Sequence, residues 1–163
     1  MKKGLVGLLA LSLTGVSFAF ASGETAKVDY PSGYRDWTHV KSMILLENHP
    51  FADPFGGLHH IYANDIALEA LKNRTPYPDG SVLVFDLMEV ITDVEGGTSS
   101  EGVRIRKDVM QKNSALWPDT GGWGYETFFG ADNERIITDP IASCHNCHGS
   151  QIETDSVFSV WRD

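Results

Sequence analysis

Residues 81–90 read SVLVFDLMEV, and this stretch decides the fold. In an extended chain Leu83, Phe85 and Leu87 point to one side, and Val82, Val84, Asp86 and Met88 to the other. The run is rich in β-branched and aromatic residues, which favour strands. Both sides are mostly apolar, so the strand is expected to be covered on two faces. Pro78-Asp79-Gly80 supplies the turn that opens it.

Working outward, Leu58 to Ala63 reads as extended. Asn64 then caps a short helix with Ile66, Ala67, Ala70 and Leu71 on one face, stopped by Asn73 and Pro76. Upstream, Tyr30-Pro31-Ser32-Gly33 marks a turn before a segment containing Trp37. Asn48 to Gly57 carries two prolines and two glycines and reads as a loop. Downstream, Gly96 to Gly102 reads as a loop. Val103 and Ile105 then alternate with Arg104 and Arg106, the pattern of a half-buried strand with its arginines in water. Asp119 to Gly122 turns into a strand at Trp123–Phe129, whose Trp123 and Tyr125 are expected core aromatics, like Trp37. A helical turn is expected around Pro140–His148, and one or two more over Asp155–Trp161. The sum is an α+β fold, mainly antiparallel β-sheet with a few short helices, in a single domain over residues 22–163.

Residues 1–21 stand apart. Met1-Lys2-Lys3 is basic, Gly4 to Phe20 is apolar, and Ala19-Phe20-Ala21 is a small-x-small cleavage site. This is the pattern of a secretory signal peptide, which places the mature chain in the periplasm or otherwise outside the cytoplasm. The competing reading is a membrane anchor, but the apolar run is at the short edge of a spanning length and no basic stop follows it. The chain carries 13 basic against 22 acidic side chains. Such an excess of negative charge, with no basic cluster, excludes a nucleic-acid partner. A basic redox protein is the kind of partner it would suit.

The chemistry lies near the C-terminus, where residues 144–148 read CHNCH and use both cysteines of the chain. Cys-x-x-Cys-His is the attachment pattern of a c-type haem: two thiols for the vinyl groups, then an imidazole for the iron. Cys144 and Cys147 are thus the candidate thioether residues, His148 the candidate iron ligand, and one haem c the cofactor. A zinc site lacks its other ligands, and a redox-active cysteine pair lacks its usual strand–helix setting. His145, between the cysteines, is expected to face solvent.

No methionine follows His148; Met43, Met88 and Met110 all precede it. The opposite side of the haem must then be walled by the N-terminal two-thirds of the chain. An iron held by one histidine under an apolar wall keeps a position open for diatomic ligands. His59 and His60 stand against this, because either imidazole could complete the iron's coordination. On an extended segment they point to opposite faces.

Three runs carry a family resemblance: HHIYANDIALEALKNRTPYPDGSVLVFDLMEV from His59, GGWGYETFF from Gly121, and CHNCHGSQIETDSVFS from Cys144. Over Tyr30 to Phe158 the chain resembles the cytochrome P-460 and cytochrome c′-β family. The resemblance implies a haem-binding antiparallel sheet, with the haem on a C-terminal segment, and a homodimer. Family members that oxidise hydroxylamine carry a lysine cross-linked to the porphyrin on the strand after the Asp-Gly turn. Counting from Asp79-Gly80, that position is Phe85, and no lysine occurs from Ser81 to Val103. A phenylalanine there is similar to cytochrome c′-β, whose distal pocket is capped by two phenylalanines. Phe85 would be one and Phe55 the other, with Phe51 as the alternative.

A benzyl roof offers no hydrogen-bond donor, which O₂ needs more than CO or NO does, and it admits water and anions only at the cost of their hydration. The expected function is an exported mono-haem c-type cytochrome with a five-coordinate haem that binds NO and CO, for nitric oxide binding, scavenging or detoxification. The alternatives are a hydroxylamine- or NO-converting oxidoreductase and a simple electron-transfer cytochrome.

Overall fold

The computed structural model describes residues 26–162; the proposed signal peptide lies outside the described residues. Six antiparallel strands form one sheet in chain order: β1 (Thr38–Leu45), β2 (Gly57–Ala63), β3 (Val82–Asp93), β4 (Thr98–Lys112), β5 (Trp123–Phe129) and β6 (Glu134–Arg135). Each strand pairs with its predecessor, so the sheet is a meander built from local connections. Short helices decorate it: α1 (Ala52–Phe55), α2 (Asp65–Asn73) and α3 (Asn146–His148). Among the described residues, no helix is long and apolar enough to cross a membrane.

The two-sided packing expected of β3 is present. Leu83 lies in one apolar cluster with Ala67, Leu71, Met110, Trp123 and Tyr125. Its neighbour Val84 lies in another, with Val28, Tyr34, Tyr62, Val109 and Phe128. The N-terminal segment covers the second face, while α2 and the C-terminal segment cover the first. Each fully buried side chain of this kind contributes about 1.5–3 kcal/mol of transfer free energy.

Asn64 caps α2 as its sequence suggests. Its side-chain oxygen accepts from the amides of Ala67 at 2.9 Å and Val82 at 3.1 Å, and its amide donates to the Gly80 carbonyl at 2.9 Å. One residue therefore joins the helix to the start of β3. The buried stripe differs from the expected one by a single exchange. Leu68 packs inward with Ala67, Ala70 and Leu71, while Ile66 is 45% exposed and lies against the Gly80 turn.

Four other expectations are corrected. The loop at Asn48–Gly57 contains the single turn α1. The loop expected from Gly96 to Gly102 shrinks to a tight turn, because Thr98, Ser99 and Ser100 pair with Asp93, Thr92 and Ile91. The arginines of β4 are not left in water: Val103 is 70% exposed, while Arg104 and Arg106 are half-buried. The cause is a register irregularity opposite Leu87–Met88, together with two carboxylates waiting inside. Arg104 grips the fully buried Asp86 at 2.6 and 3.1 Å, and Arg106 bonds Asp108 at 3.1 Å. Finally, the last helical turn is Ile152–Thr154 and ends before the expected span. Asp155 (φ 49°) and Ser156 (φ 69°) are left-handed and break the helix.

Candidate haem site

The CHNCH segment is wound by its own sequence. The Asp139 carboxylate accepts from the amides of Ile141 and Ala142, both at 3.0 Å, and starts a π-turn over Ile141–His145 that runs into α3. On such a wind, residues three and four apart share a face. Cys144, Cys147 and His148 are spaced in this way. Cys144 packs against the apolar cluster under the sheet, and Cys147 is exposed.

His148 is half-buried, with the ring of Phe158 at 5.0 Å and that of Tyr125 at 5.4 Å. Its Nδ1–H donates to the carbonyl oxygen of Ser156 at 2.8 Å. A metal-binding histidine needs such an outer acceptor to fix its tautomer and aim its other nitrogen. Nε2 is left for another ligand. Burial lowers the pKa of His148 below its ordinary value, which favours the neutral imidazole that ligates metals.

Both cysteines are free thiols, and burial pushes Cys144 up to about 12, away from the lowered pKa of a reactive thiol. His145 is not solvated as expected. It is half-buried against Tyr125, with Nδ1 3.4 Å from the tyrosine hydroxyl.

The same sheet face carries the candidate roof. Phe85 of β3 sits opposite Asp108 of β4, which sits opposite Thr127 of β5; one pair further along lie Leu83, Met110 and Tyr125. Phe85 thus stands two strands from Tyr125, about 10 Å across the sheet. The structure brings Phe55 and Phe85 together, ring centroids 6.2 Å apart and planes at 84°. Phe51 is 59% exposed and leans on His49 instead.

The two histidines separate as the strand alternation requires. His60 faces away from Phe85, bonded to the Ser42 hydroxyl at 2.7 Å. His59 shares the Phe85 face and is 2% exposed, its ring 4.3 Å from that of Phe85. Its Nε2 donates to the Phe55 carbonyl at 2.5 Å, and its Nδ1 is sealed from solvent without a partner. Burial lowers its pKa.

Reading the sequence missed Asp108. It lies in phase with Arg106 and Met110, so strand alternation alone places it on this face. Its carboxylate accepts from Arg106 and, at 2.7 Å, from the Thr127 hydroxyl, yet burial holds its pKa above the ordinary carboxylate range. The Arg106 guanidinium in turn lies 4.9 Å over the Phe55 ring. No lysine comes from β3, but the β1–β2 register sets Lys41 opposite Ile61, and so on the Phe85 side.

Among the described residues no group of three or more His, Cys, Asp or Glu side chains is placed to hold a bare metal ion. The donor set is one imidazole and two thiols beside an aromatic wall, which suits a macrocycle better than a bare ion. The family model for Cytochrome P460 matches residues 31–159. The chain belongs to the cytochrome P460 family. Among curated proteins, nothing matches the chain. For a cytochrome P460 family member haem is the implied cofactor, and the residues present fit it. An imidazole whose Nδ1 is already bonded to the Ser156 carbonyl, two free thiols at the right spacing and the rings of Tyr125 and Phe158 beside the imidazole are features that suit a haem.

Proposed function

We propose that this cytochrome P460 family member is an exported mono-haem c-type cytochrome that binds NO or CO at a vacant iron position, as a scavenger or sink for nitric oxide. The observation that carries the reading is the Phe55–Phe85 pair. It occupies the face where, by the resemblance, hydroxylamine-oxidising members place a cross-linking lysine. Each cysteine thiol would add its sulfur to one carbon of a haem vinyl group and its hydrogen to the other. His148 would hold the iron through Nε2. Haem, when bound, supplies an iron that takes diatomic ligands and changes oxidation state. Phe55 and Phe85 exclude water and offer no donor. His59 holds them in place through the Phe55 carbonyl, and its own nitrogens are either bonded or sealed. Export rests on the leader and a homodimer on the resemblance.

A second reading, oxidation of hydroxylamine or a related nitrogen species, is favoured by Asp108. A carboxyl with a raised pKa beside the site is a group able to take a proton. Absorption spectra of the reduced holo-protein, with and without CO and NO, separate the two. A high-spin ferrous haem c that binds both gases supports the first. A strongly red-shifted ferrous Soret band, the sign of a cross-linked macrocycle, supports the second. A low-spin spectrum unmoved by CO removes the vacant position and leaves an electron-transfer cytochrome.

A further inference from the structure

Asp155 gathers contacts from three parts of the fold distant in sequence. Its carboxylate takes both oxygens to Lys112 Nζ of β4, each at 2.9 Å, and accepts from the Tyr77 amide at 2.9 Å. The Trp123 indole N–H of β5 bonds its backbone carbonyl at 2.9 Å and reaches its Oδ1 at 3.3 Å. Lys112 and Trp123 are both buried. Asp155 and Ser156 are consecutive non-glycine residues at positive φ. Such a pair persists only where its surroundings over-determine it. Its consequence is local: it turns the Ser156 carbonyl onto Nδ1 of His148.

We propose that Asp155 is a positioning residue for His148: clamped by Lys112, Tyr77 and Trp123, it holds the Ser156 carbonyl as the fixed acceptor of the imidazole Nδ1–H. A firmly held acceptor makes the imidazole a stronger donor to its metal. Electron donation favours ferric over ferrous iron, so the clamp keeps the reduction potential low. The inference rests on His148 being the iron ligand, and is independent of which molecule binds opposite.

The test compares the holo-protein with its Asp155→Asn and Lys112→Met variants. Two readouts are used: the iron–histidine stretching frequency of the ferrous protein by resonance Raman, and the midpoint potential. Loss of the clamp should lower the frequency and raise the potential. An outer partner is typically worth 10–100-fold to a metal site, and a tenfold loss of preference for ferric iron reads as a rise of about 59 mV. Lys112→Met should move both readouts in the same direction, and decides the matter alone if Asp155→Asn fails to fold or to load haem. A wild-type protein with no iron–histidine stretch refutes the ligand assignment. A wild-type stretch that stays unmoved in the folded, haem-loaded variants, with an unmoved potential, overturns the role of Asp155 even if melting temperatures fall.

Discussion

The ring of Phe55 stands edge-on to the ring of Phe85, centroids 6.2 Å apart. Neither residue is near the other in sequence; α1 carries one and β3 the other. If the pair roofs the vacant iron position, Phe85→Ala should open it. CO and NO association should speed by about tenfold, equivalent to removing about 1.4 kcal/mol of barrier. Flash photolysis of the ferrous protein measures this. Unchanged kinetics would remove Phe85 from the distal site.

His59 ties that roof down, and its burial gives a pH dependence. Its pKa is lowered in the folded chain from the ordinary 6.5, so the unfolded chain binds its proton more readily. Stability is then full above pH 6.5 and is lost as pH falls from 6.5 through the lowered folded value. His148 adds to the same slope in the haem-free protein. Asp108, with a raised pKa, works in the opposite sense: its penalty appears as pH rises from the ordinary 3.8 through its folded value. Urea titrations of the haem-free protein from pH 5 to 8 should show His59→Phe flattening the loss below pH 6.5. A variant as steep as the wild type would show that His59 does not titrate with unfolding.

Asp86 is costly to alter. It is fully buried between Arg104 and the Tyr34 hydroxyl, with Arg35 at 3.7 Å. Asp86→Ala leaves Arg104 without its partner; because the Arg104 side chain is 33% exposed, the cost should fall below the roughly 3–5 kcal/mol of a fully buried pair. Tyr34→Phe removes one hydrogen bond to a charged group and should cost about 1.5–3 kcal/mol. Both lie on the face opposite Phe85. Variants that fold should therefore keep the CO spectrum of the wild type, and a shifted spectrum would show that the two faces are coupled.

What could be read before folding was whatever lay in local pattern. The strand at 81–90 announced itself because two apolar faces alternate with period two. Asn64 announced its helix because capping is a local hydrogen bond. The arginines of β4 were misread because their fate depends on carboxylates at Asp86 and Asp108. Asp86 meets Arg104 only through the β3–β4 register, which a β-bulge shifts out of simple alternation, whereas Asp108 takes Arg106 from two residues away on the same strand. The Ser156 carbonyl was unreadable for a related reason. A main-chain acceptor leaves no mark in side-chain identity, and its placement needs Tyr77, Lys112 and Trp123 to converge on Asp155. Of the candidate site, spacing alone gave Cys144, Cys147 and His148. The resemblance put Phe55 ahead of Phe51, and the physical reason came with α1, which turns the Phe55 ring toward Phe85 and leaves Phe51 against His49.

Covalent attachment offers the sharpest check on the chemistry. Cys144 is partly buried against the core and Cys147 is exposed, so a Cys147→Ser variant disturbs packing less. It should still hold haem through Cys144, with a single thioether and a shifted haemochrome band. In the double Cys144→Ser, Cys147→Ser variant no thiol remains in the chain, and acidified butanone should extract all the haem. Haem that stayed with the double variant would require a bond from another side chain. Lys41, on the Phe85 side of the sheet opposite Ile61, is the first amine to examine by mass spectrometry. A bond there would restore a cross-linked macrocycle from a different strand and favour hydroxylamine oxidation over gas binding. Complete extraction leaves the two cysteines as the whole attachment.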